Sequence, residues 1–338
     1  MKRNLYSVPY NGINPDLYLA LLEPYKEYID HIYLGISSLL RNHDDYRIMD
    51  YKSIIKEDNG ILSKDEYEEN TFQLLLKAQD KYKTILTLNA GHYIIPPSDL
   101  YNWCDKVLFP FIEITKIAGC VCTSFDMARY IHQNMPTLEL HTSCNCFQWN
   151  IKQMEYWRDH CGISVFNPPR EILRTPKMLK EMHDAGFIIK ALINESCLYG
   201  CPQTINHAMS TAVGSFINSD CNRGEFSNFF RSNWVLPRWL DQLDEYVDIY
   251  KITGRTAINY KYIFEALDAY IDRKEVDDIT KIILGGTVNK VKKTSIPIPS
   301  DRIPDKLLTC ECKECNKTCF ICENLAKEFF KNEKIITN

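Results

Sequence analysis

Three cysteines in the middle of the chain have the spacing of metal ligands. Cys197 and Cys201 bracket the residues LYG, and Cys221 follows twenty residues after Cys201. Thiolates a few residues apart on one loop suit an iron–sulfur cluster, whose iron atoms take four sulfur ligands. Zinc could use the same thiolates in tetrahedral geometry. A fourth ligand would come from Cys144 or Cys146, or from the C-terminal tail; without one, an iron site would stay open to substrate.

A second group of five cysteines lies near the C-terminus, in the sequence CECKECNKTCFICENLAKEFF. Two Cys-x2-Cys pairs so close together are a strong metal-site pattern, because each pair presents two thiolates in chelating geometry. The segment between the pairs, NKT, is too short for a zinc ribbon. The tail would therefore bind its own cluster or zinc ion, or donate ligands to the central site. Its candidate ligands are Cys310, Cys312, Cys315, Cys319 and Cys322.

Several other polar residues could act beside the central cysteines. Glu195 could be a general acid or base if burial raises its pKa, and His207 follows Cys201 by six residues. Lys251 and Arg255 flank the end of a predicted strand, and Arg255 could bind a carboxylate or phosphate through two hydrogen bonds. We therefore take Glu195, His207, Lys251 and Arg255 as candidate catalytic residues. Each also has a structural alternative, as a turn residue, a core histidine or a salt bridge.

The composition is that of a globular protein with an excess of cysteine. The chain has 338 residues, of which 45% are hydrophobic and 25% charged, with a net charge of −4 and fourteen cysteines. Neither a signal peptide nor a long apolar run is evident, so we expect a cytoplasmic protein without a membrane partner. In a reducing compartment clustered cysteines bind metal more often than they form disulfides. The charge indicates no nucleic-acid partner.

The elements that must position these residues alternate between strand and helix. Several predicted strands are nearly continuous apolar runs, as expected for parallel strands that are buried on both faces. Eight such strands predict an α/β protein with a (β/α)8 barrel, whose active site lies at the carboxyl ends of the strands. A doubly wound open sheet is the alternative, but no glycine-rich dinucleotide turn follows an early strand. The predicted strands are Leu5–Pro9, His31–Gly35, Thr84–Asn89, Phe111–Ala118, Leu138–Thr142, Ile163–Asn167, Phe187–Ile193 and Val247–Ile252.

The pattern changes near the C-terminus. We assign residues 1–290 to the barrel and residues 305–338 to a cysteine-rich, metal-binding tail. Between them, residues 291–304 form a proline-containing connector, because the run SIPIPSDRIP favours extended chain.

Two segments resemble a known family. The run NESCLYGCP, followed by SNWVLPRWLDQLDEYVDIYKITGR, is similar to the U-32 peptidase family, also called collagenase-like peptidases. The stretch HTSCNCFQWNIKQMEYWRDHCGISVF looks like the family's strand, Ser-x-Asn and helix unit, which places Ser143 and Asn145 at the barrel opening. The similarity covers residues 141–270.

This resemblance implies a barrel and a four-iron (4Fe-4S) cluster on Cys197, Cys201 and Cys221. Some members of the family take part in oxygen-independent hydroxylation rather than proteolysis. The five-cysteine tail and the cysteine spacing of this chain depart from those branches, so the resemblance does not define the reaction.

Three functions follow from these patterns. The first is an iron–sulfur enzyme for redox or group-transfer chemistry, such as hydroxylation, on a small-molecule, peptide or RNA substrate. The second is a peptidase or other hydrolase, although the chain lacks the His-Glu-x-x-His and Gly-x-Ser-x-Gly motifs. The third is a non-catalytic iron–sulfur protein that docks a partner or relays electrons.

Overall fold

Eight parallel strands close into one barrel in the computed structural model. The structure describes residues 4–35, 64–88, 96–207, 225–254, 260–310 and 318–331. Each strand pairs with the next along the chain, and the eighth pairs with the first. The strands are β1 (Leu5–Pro9), β2 (Ile29–Leu34), β3 (Thr84–Leu88), β4 (Gly119–Cys122), β5 (Glu139–Thr142), β6 (Ile163–Phe166), β7 (Ile188–Leu192) and β8 (Ile249–Lys251).

Helices surround the barrel. In the part of the chain that is described, none is long and apolar enough to span a membrane. The α-helices are Pro15–Leu22, Lys64–Ala78, Pro97–Trp103, Phe109–Thr115, Phe125–Asn134, Ile151–Cys161, Pro176–Asp184, Ser227–Phe230, Lys261–Ile271, Val288–Lys292 and Ile321–Phe329. A π-type segment, Cys104–Leu108, joins the third and fourth of these helices into one rod.

The predicted (β/α)8 fold is confirmed, with one error among the strands. The run Phe111–Ala118 was predicted as a strand, but the helix Phe109–Thr115 occupies most of it, and the strand follows at Gly119–Cys122. A short apolar run fits a strand and a packed helix equally well. In this run Ile112 is buried but Ile114 is 61% exposed, because the helix packs only one of its faces.

Alternate residues of the strands face opposite sides of the barrel wall. Val8, Ile32 and Leu140 belong to the apolar layer between the strands and the helices. The other face lines the barrel interior, where the strand pairing aligns Ser7 with His31 and Val165 with His141. The interior therefore contains polar residues at positions where barrels usually place branched apolar side chains.

The predicted connector packs against the barrel. Residues Ser300–Arg302 form a 3-10 turn, and Ile298 and Ile303 are buried. Arg238 anchors this segment, since its guanidinium donates to the carbonyl oxygens of Ser300 at 2.8 Å and Ile303 at 2.6 Å.

We predict that Arg238→Ala loosens this anchored segment. Losing a charged donor to two carbonyl groups should reduce the free energy of unfolding by about 1–3 kcal/mol. The variant should also be cleaved faster within residues 295–304 during limited proteolysis. Arg302→Ala is the matched control in the same segment, because Arg302 pairs with Glu328 and lies over the Phe329 ring, both in the C-terminal helix. Equal effects of the two substitutions would contradict the anchoring role.

Candidate active site

Three loops at the carboxyl ends of neighbouring strands form the surroundings of the predicted central site. We call this end of the barrel the mouth. Cys144 and Asn145 lie in a 3-10 turn directly after β5, and Arg170 begins another after β6. Glu195 and Cys197 lie in the segment that follows β7. Because the strands are adjacent in the barrel, their loops meet at one side of the mouth.

Arg170 links these three loops. Its Nε donates to Glu195 Oε2, and its Nη1 donates to Asn145 Oδ1 at 3.1 Å. Burial opposes the charge of Arg170, but the neighbouring Cys144, Glu195 and Cys197 raise its pKa above the usual value. The guanidinium is therefore positively charged, and its two partners are the immediate neighbour of Cys144 and a residue two positions before Cys197.

The same charges act on the groups of the β7 loop. Burial raises the pKa of the Cys197 thiol to about 12, although the Arg170 charge opposes this shift. Burial, followed by the Arg170 charge, lowers the pKa of His207. His207 is therefore a neutral imidazole near the mouth at pH 7. The predicted Glu195, Cys197, Cys201 and His207 all lie in this one region.

A short antiparallel ladder holds the cysteine loop. Leu198 pairs with Ser232, and the Asn233 backbone N–H donates to the Cys197 carbonyl oxygen at 2.9 Å. This hydrogen bond holds Asn233, which has a carboxamide side chain, against the backbone of Cys197. This carboxamide is buried, and neither of its polar atoms has a hydrogen-bond partner among the described residues.

These residues fit part of an iron–sulfur or zinc site. No three histidine, cysteine, aspartate or glutamate side chains in the described ranges are grouped so that they could hold one metal ion. Cys197 and Cys201 could supply two thiolates, and the predicted third ligand, Cys221, lies outside the described residues. The Arg170 charge and the unpartnered Asn233 N–H group are suited to thiolate sulfur, which accepts hydrogen bonds and carries negative charge.

The C-terminal helix packs against the segment that supports this loop. Rings of Phe226 and Phe330 stack with centroids 4.3 Å apart, and Arg231 forms an ion pair with Glu323. Cys322 is buried in the first turn of that helix. Cys310 and Cys319 are partly buried, and the remaining tail candidates, Cys312 and Cys315, lie outside the described residues.

Of the two basic candidates at the end of the last strand, the structure describes one. Lys251 is the final residue of β8, and its Nζ lies 4.3 Å from the centroid of the Tyr33 ring. It is therefore held near the mouth. Arg255 lies outside the described residues.

Two carboxylate–histidine pairs in the barrel interior were missed by the sequence analysis. His141 Nε2 lies 2.5 Å from Glu139 Oε1, and His141 Nδ1 lies 2.5 Å from Lys190 Nζ. The signal was present in the predicted strands, because Lys190 interrupts the apolar run FIIKALI at an inward position. An ionisable residue inside a buried strand is a functional candidate.

The second pair involves the first two strands. His31 Nδ1 lies 2.5 Å from Asp30 Oδ2, and His31 Nε2 lies 2.7 Å from Ser7 Oγ. This is the arrangement of a serine–histidine–aspartate triad, although Ser7 and His31 are fully buried. Lys83 joins the two pairs at the amino-terminal end of the barrel, since its Nζ lies 3.2 Å from Asp30 and 2.8 Å from Glu139.

Burial keeps both imidazoles neutral, although the carboxylate partners Asp30 and Glu139 act in the opposite direction on the histidine pKa values. Burial, then the neighbouring Lys190, lowers the pKa of His31 to about 3. Burial opposes ionisation of Glu139, but hydrogen bonds from His141 and Lys83 lower its pKa to about 2. The interior therefore contains neutral histidines bound to ionised carboxylates.

We predict that His31 makes the protein less stable in mild acid. Below pH 6.5 the unfolded chain protonates this histidine, whereas the folded chain does not until about pH 3, so the free energy of unfolding falls as pH falls. Between pH 6.5 and about 5 this one group should account for about 2 kcal/mol. Urea unfolding of His31→Gln should show a weaker pH dependence than the parent chain. The exposed His160→Gln should retain the parent slope, and an unchanged slope in His31→Gln would disprove the assignment.

Comparison with known proteins gives likeness in fold alone. No protein-family model and no curated protein sequence matches the chain. Among solved structures, the U32 peptidase Mk0906 is similar at 9% identity and a TM-score of 0.49, over 75% of this chain and 94% of that one. A 2,3-dimethylmalate lyase of the PEP mutase/isocitrate lyase superfamily is similar at 12% identity and a TM-score of 0.37, over 92% and 90%. The aldolase QR15 has 8% identity and a TM-score of 0.37, over 81% and 98%. These values support no inference about chemistry.

Proposed function

We propose that this chain is a barrel enzyme whose reaction takes place at the mouth, beside an iron–sulfur cluster bound by Cys197, Cys201 and Cys221. The observation that carries the proposal is the position of Arg170, a partly buried positive charge bonded to Glu195, two residues before Cys197, and to Asn145, which follows Cys144. A cluster with four thiolate ligands is an anion, so a guanidinium and an unpartnered amide beside its ligands would stabilise it.

Contacts of the candidate thiols favour one fourth ligand. Cys146 Sγ donates to the Cys122 carbonyl oxygen at 3.2 Å, which directs this thiol toward the barrel wall. Cys144 is near enough to Arg170 to raise its pKa. We therefore favour Cys144 over Cys146, with the tail cysteines as the alternative source.

Each remaining residue of the mouth has a role in this proposal. When bound, the cluster supplies one-electron chemistry of the kind needed for oxygen-independent hydroxylation. Arg170 and Lys251 attract a polar or anionic substrate, and Glu195 orients Arg170. His207, a neutral imidazole, can accept a proton. In a hydroxylation that takes its oxygen from water, the substrate loses two electrons and two protons, so the proposal includes a separate redox partner that accepts the electrons and docks against the C-terminal helix.

The metal content of anaerobically purified protein tests the cluster. We expect iron and sulfide in equal amounts and a broad visible absorption band, because thiolate-bound clusters have both features. Cys197→Ser and Cys201→Ser should lose most of the iron. Cys161→Ser is the matched control, because Cys161 is buried at the end of the helix after β5, outside the mouth.

Other results would reject this proposal. An iron-free chain contradicts it, and a stoichiometric zinc content without iron would indicate a hydrolytic or structural site instead. Equal iron loss in Cys161→Ser and Cys197→Ser would show that folding, not ligation, explains the loss. If Arg170→Met keeps both the cluster and full turnover, Arg170 takes no part in the reaction and the proposed role of the mouth is wrong.

The Ser7–His31–Asp30 arrangement supports hydrolysis as a second candidate function. A serine hydrolase would react with a fluorophosphonate probe at Ser7, and Ser7→Ala would abolish that labelling. Because Ser7 is fully buried, we expect no labelling of the folded protein. Labelling of Ser7, with none of the exposed Ser164, would instead favour the hydrolase.

A further inference from the structure

Lys190 is an amine inside the barrel that the proposed chemistry of the mouth does not use. It is fully buried on the inward face of β7. Burying a charged amine costs several kcal/mol unless the amine loses its charge or forms an ion pair or hydrogen bonds. Its amine contacts the imidazole of His141, with Nζ and Nδ1 2.5 Å apart.

Strand pairing places this amine just below the mouth. Lys190 pairs with Ile249, and Leu192, two residues further along β7, pairs with Lys251. Two residues of a strand span about 7 Å, so one layer of side chains separates Lys190 from the end of β8. Leu192 and Lys251 are both partly exposed, whereas Lys190 is not. A small molecule entering from the mouth would meet Lys251 first and Lys190 next.

The partners of His141 define how protons can move around this amine. Glu139 lies against Nε2 of His141, so that nitrogen carries the hydrogen and Nδ1 accepts one from Lys190. A neutral amine that donates one N–H hydrogen bond to Nδ1 keeps its lone pair, and this lone pair can attack a carbonyl carbon. Burial, followed by the positive charge of Lys251, lowers the pKa of Lys190 well below its usual value. Both effects are known ways to make a lysine nucleophilic.

We propose that Lys190 is a nucleophilic amine that forms an imine with a small aldehyde or ketone entering from the mouth. The amine nitrogen bonds to the carbonyl carbon, and the π electrons of the C=O bond move to oxygen, which takes up a proton. Both N–H protons of the amine pass in turn through His141 Nδ1 to this oxygen, the first giving a hydroxyl group and the second a water molecule, which leaves as the nitrogen lone pair forms the C=N bond. The sum is amine plus carbonyl compound giving imine plus water, without oxidation or reduction. The inference goes beyond the proposed cluster and does not depend on it.

Reductive trapping of the imine in the protein without substitutions tests the proposed reaction of Lys190 directly. The folded chain is incubated with propanal and cyanoborohydride, and the modified lysines are located by peptide mass mapping. At about pH 6 only about one ordinary lysine in ten thousand is neutral, so surface lysines react slowly. We expect Lys190 to be modified at least about tenfold faster than the exposed Lys180 under these conditions, because its amine is already neutral.

The burial of Lys190 makes one control essential. If the reaction occurs in the folded state, subdenaturing urea should leave its rate unchanged. A rate that rises in proportion to the unfolded fraction would show that only the unfolded chain reacts, and the proposal would be wrong. Absence of propyl-Lys190 while surface lysines are modified would also overturn it.

Two substitutions test whether the charge of Lys251 affects the rate at which Lys190 is modified. Lys251→Met should slow the modification of Lys190 near pH 6, because removing a neighbouring positive charge favours the protonated amine. Lys180→Met should have no effect on Lys190. Equal rates in both variants would show that Lys251 does not act on the amine, and these measurements do not require Lys190 itself to be replaced.

Discussion

Closure of the sheet by pairing between β8 and β1 is the constraint on which the other features depend. Leu5, Tyr6 and Ser7 align with Ile249, Tyr250 and Lys251, and this removes both edges of the sheet. A closed parallel barrel has all carboxyl ends of its strands on one rim. That geometry brings the loops after β5, β6 and β7 together around Arg170, although they are far apart in sequence. It also encloses the interior side chains, which gives their charges a low-dielectric environment.

The ionisable side chains of the barrel interior contact one another, and this reduces the cost of placing them in a low-dielectric environment. A buried lysine, two histidines and two carboxylates would be costly if each were isolated. They are instead connected through Lys83, which is partly exposed and holds Asp30 and Glu139 at the amino-terminal end. The rings of His31 and His141 meet edge to face, with centroids 5.3 Å apart. The network therefore runs from solvent at one end of the barrel to Lys190 near the other.

The C-terminal helix contacts the segment that supports the cysteine loop of the mouth. The segment opposite the cysteine loop contains Arg231, which pairs with Glu323 of the C-terminal helix. Two residues further on, the Asn233 N–H donates to the Cys197 carbonyl oxygen. The same short segment therefore contacts both the helix and the cysteine loop. The aromatic contacts of Phe226 and Phe230 with Phe329 and Phe330 hold the two segments together.

The sequence by itself determined the eight-strand barrel, because period and burial of apolar residues are local properties of each strand. It also indicated the loops of the mouth, since Cys197, Glu195 and His207 follow one strand closely. It failed at Phe111–Ala118, where an apolar run suits a helix face as well as a strand. Only the tertiary structure decided that Arg170 joins Asn145 to Glu195, and that Lys190 meets His141, which in turn meets Glu139. Those contacts depend on which strands are neighbours and which side chains face inward, and both are set by the register of hydrogen bonds around a closed sheet.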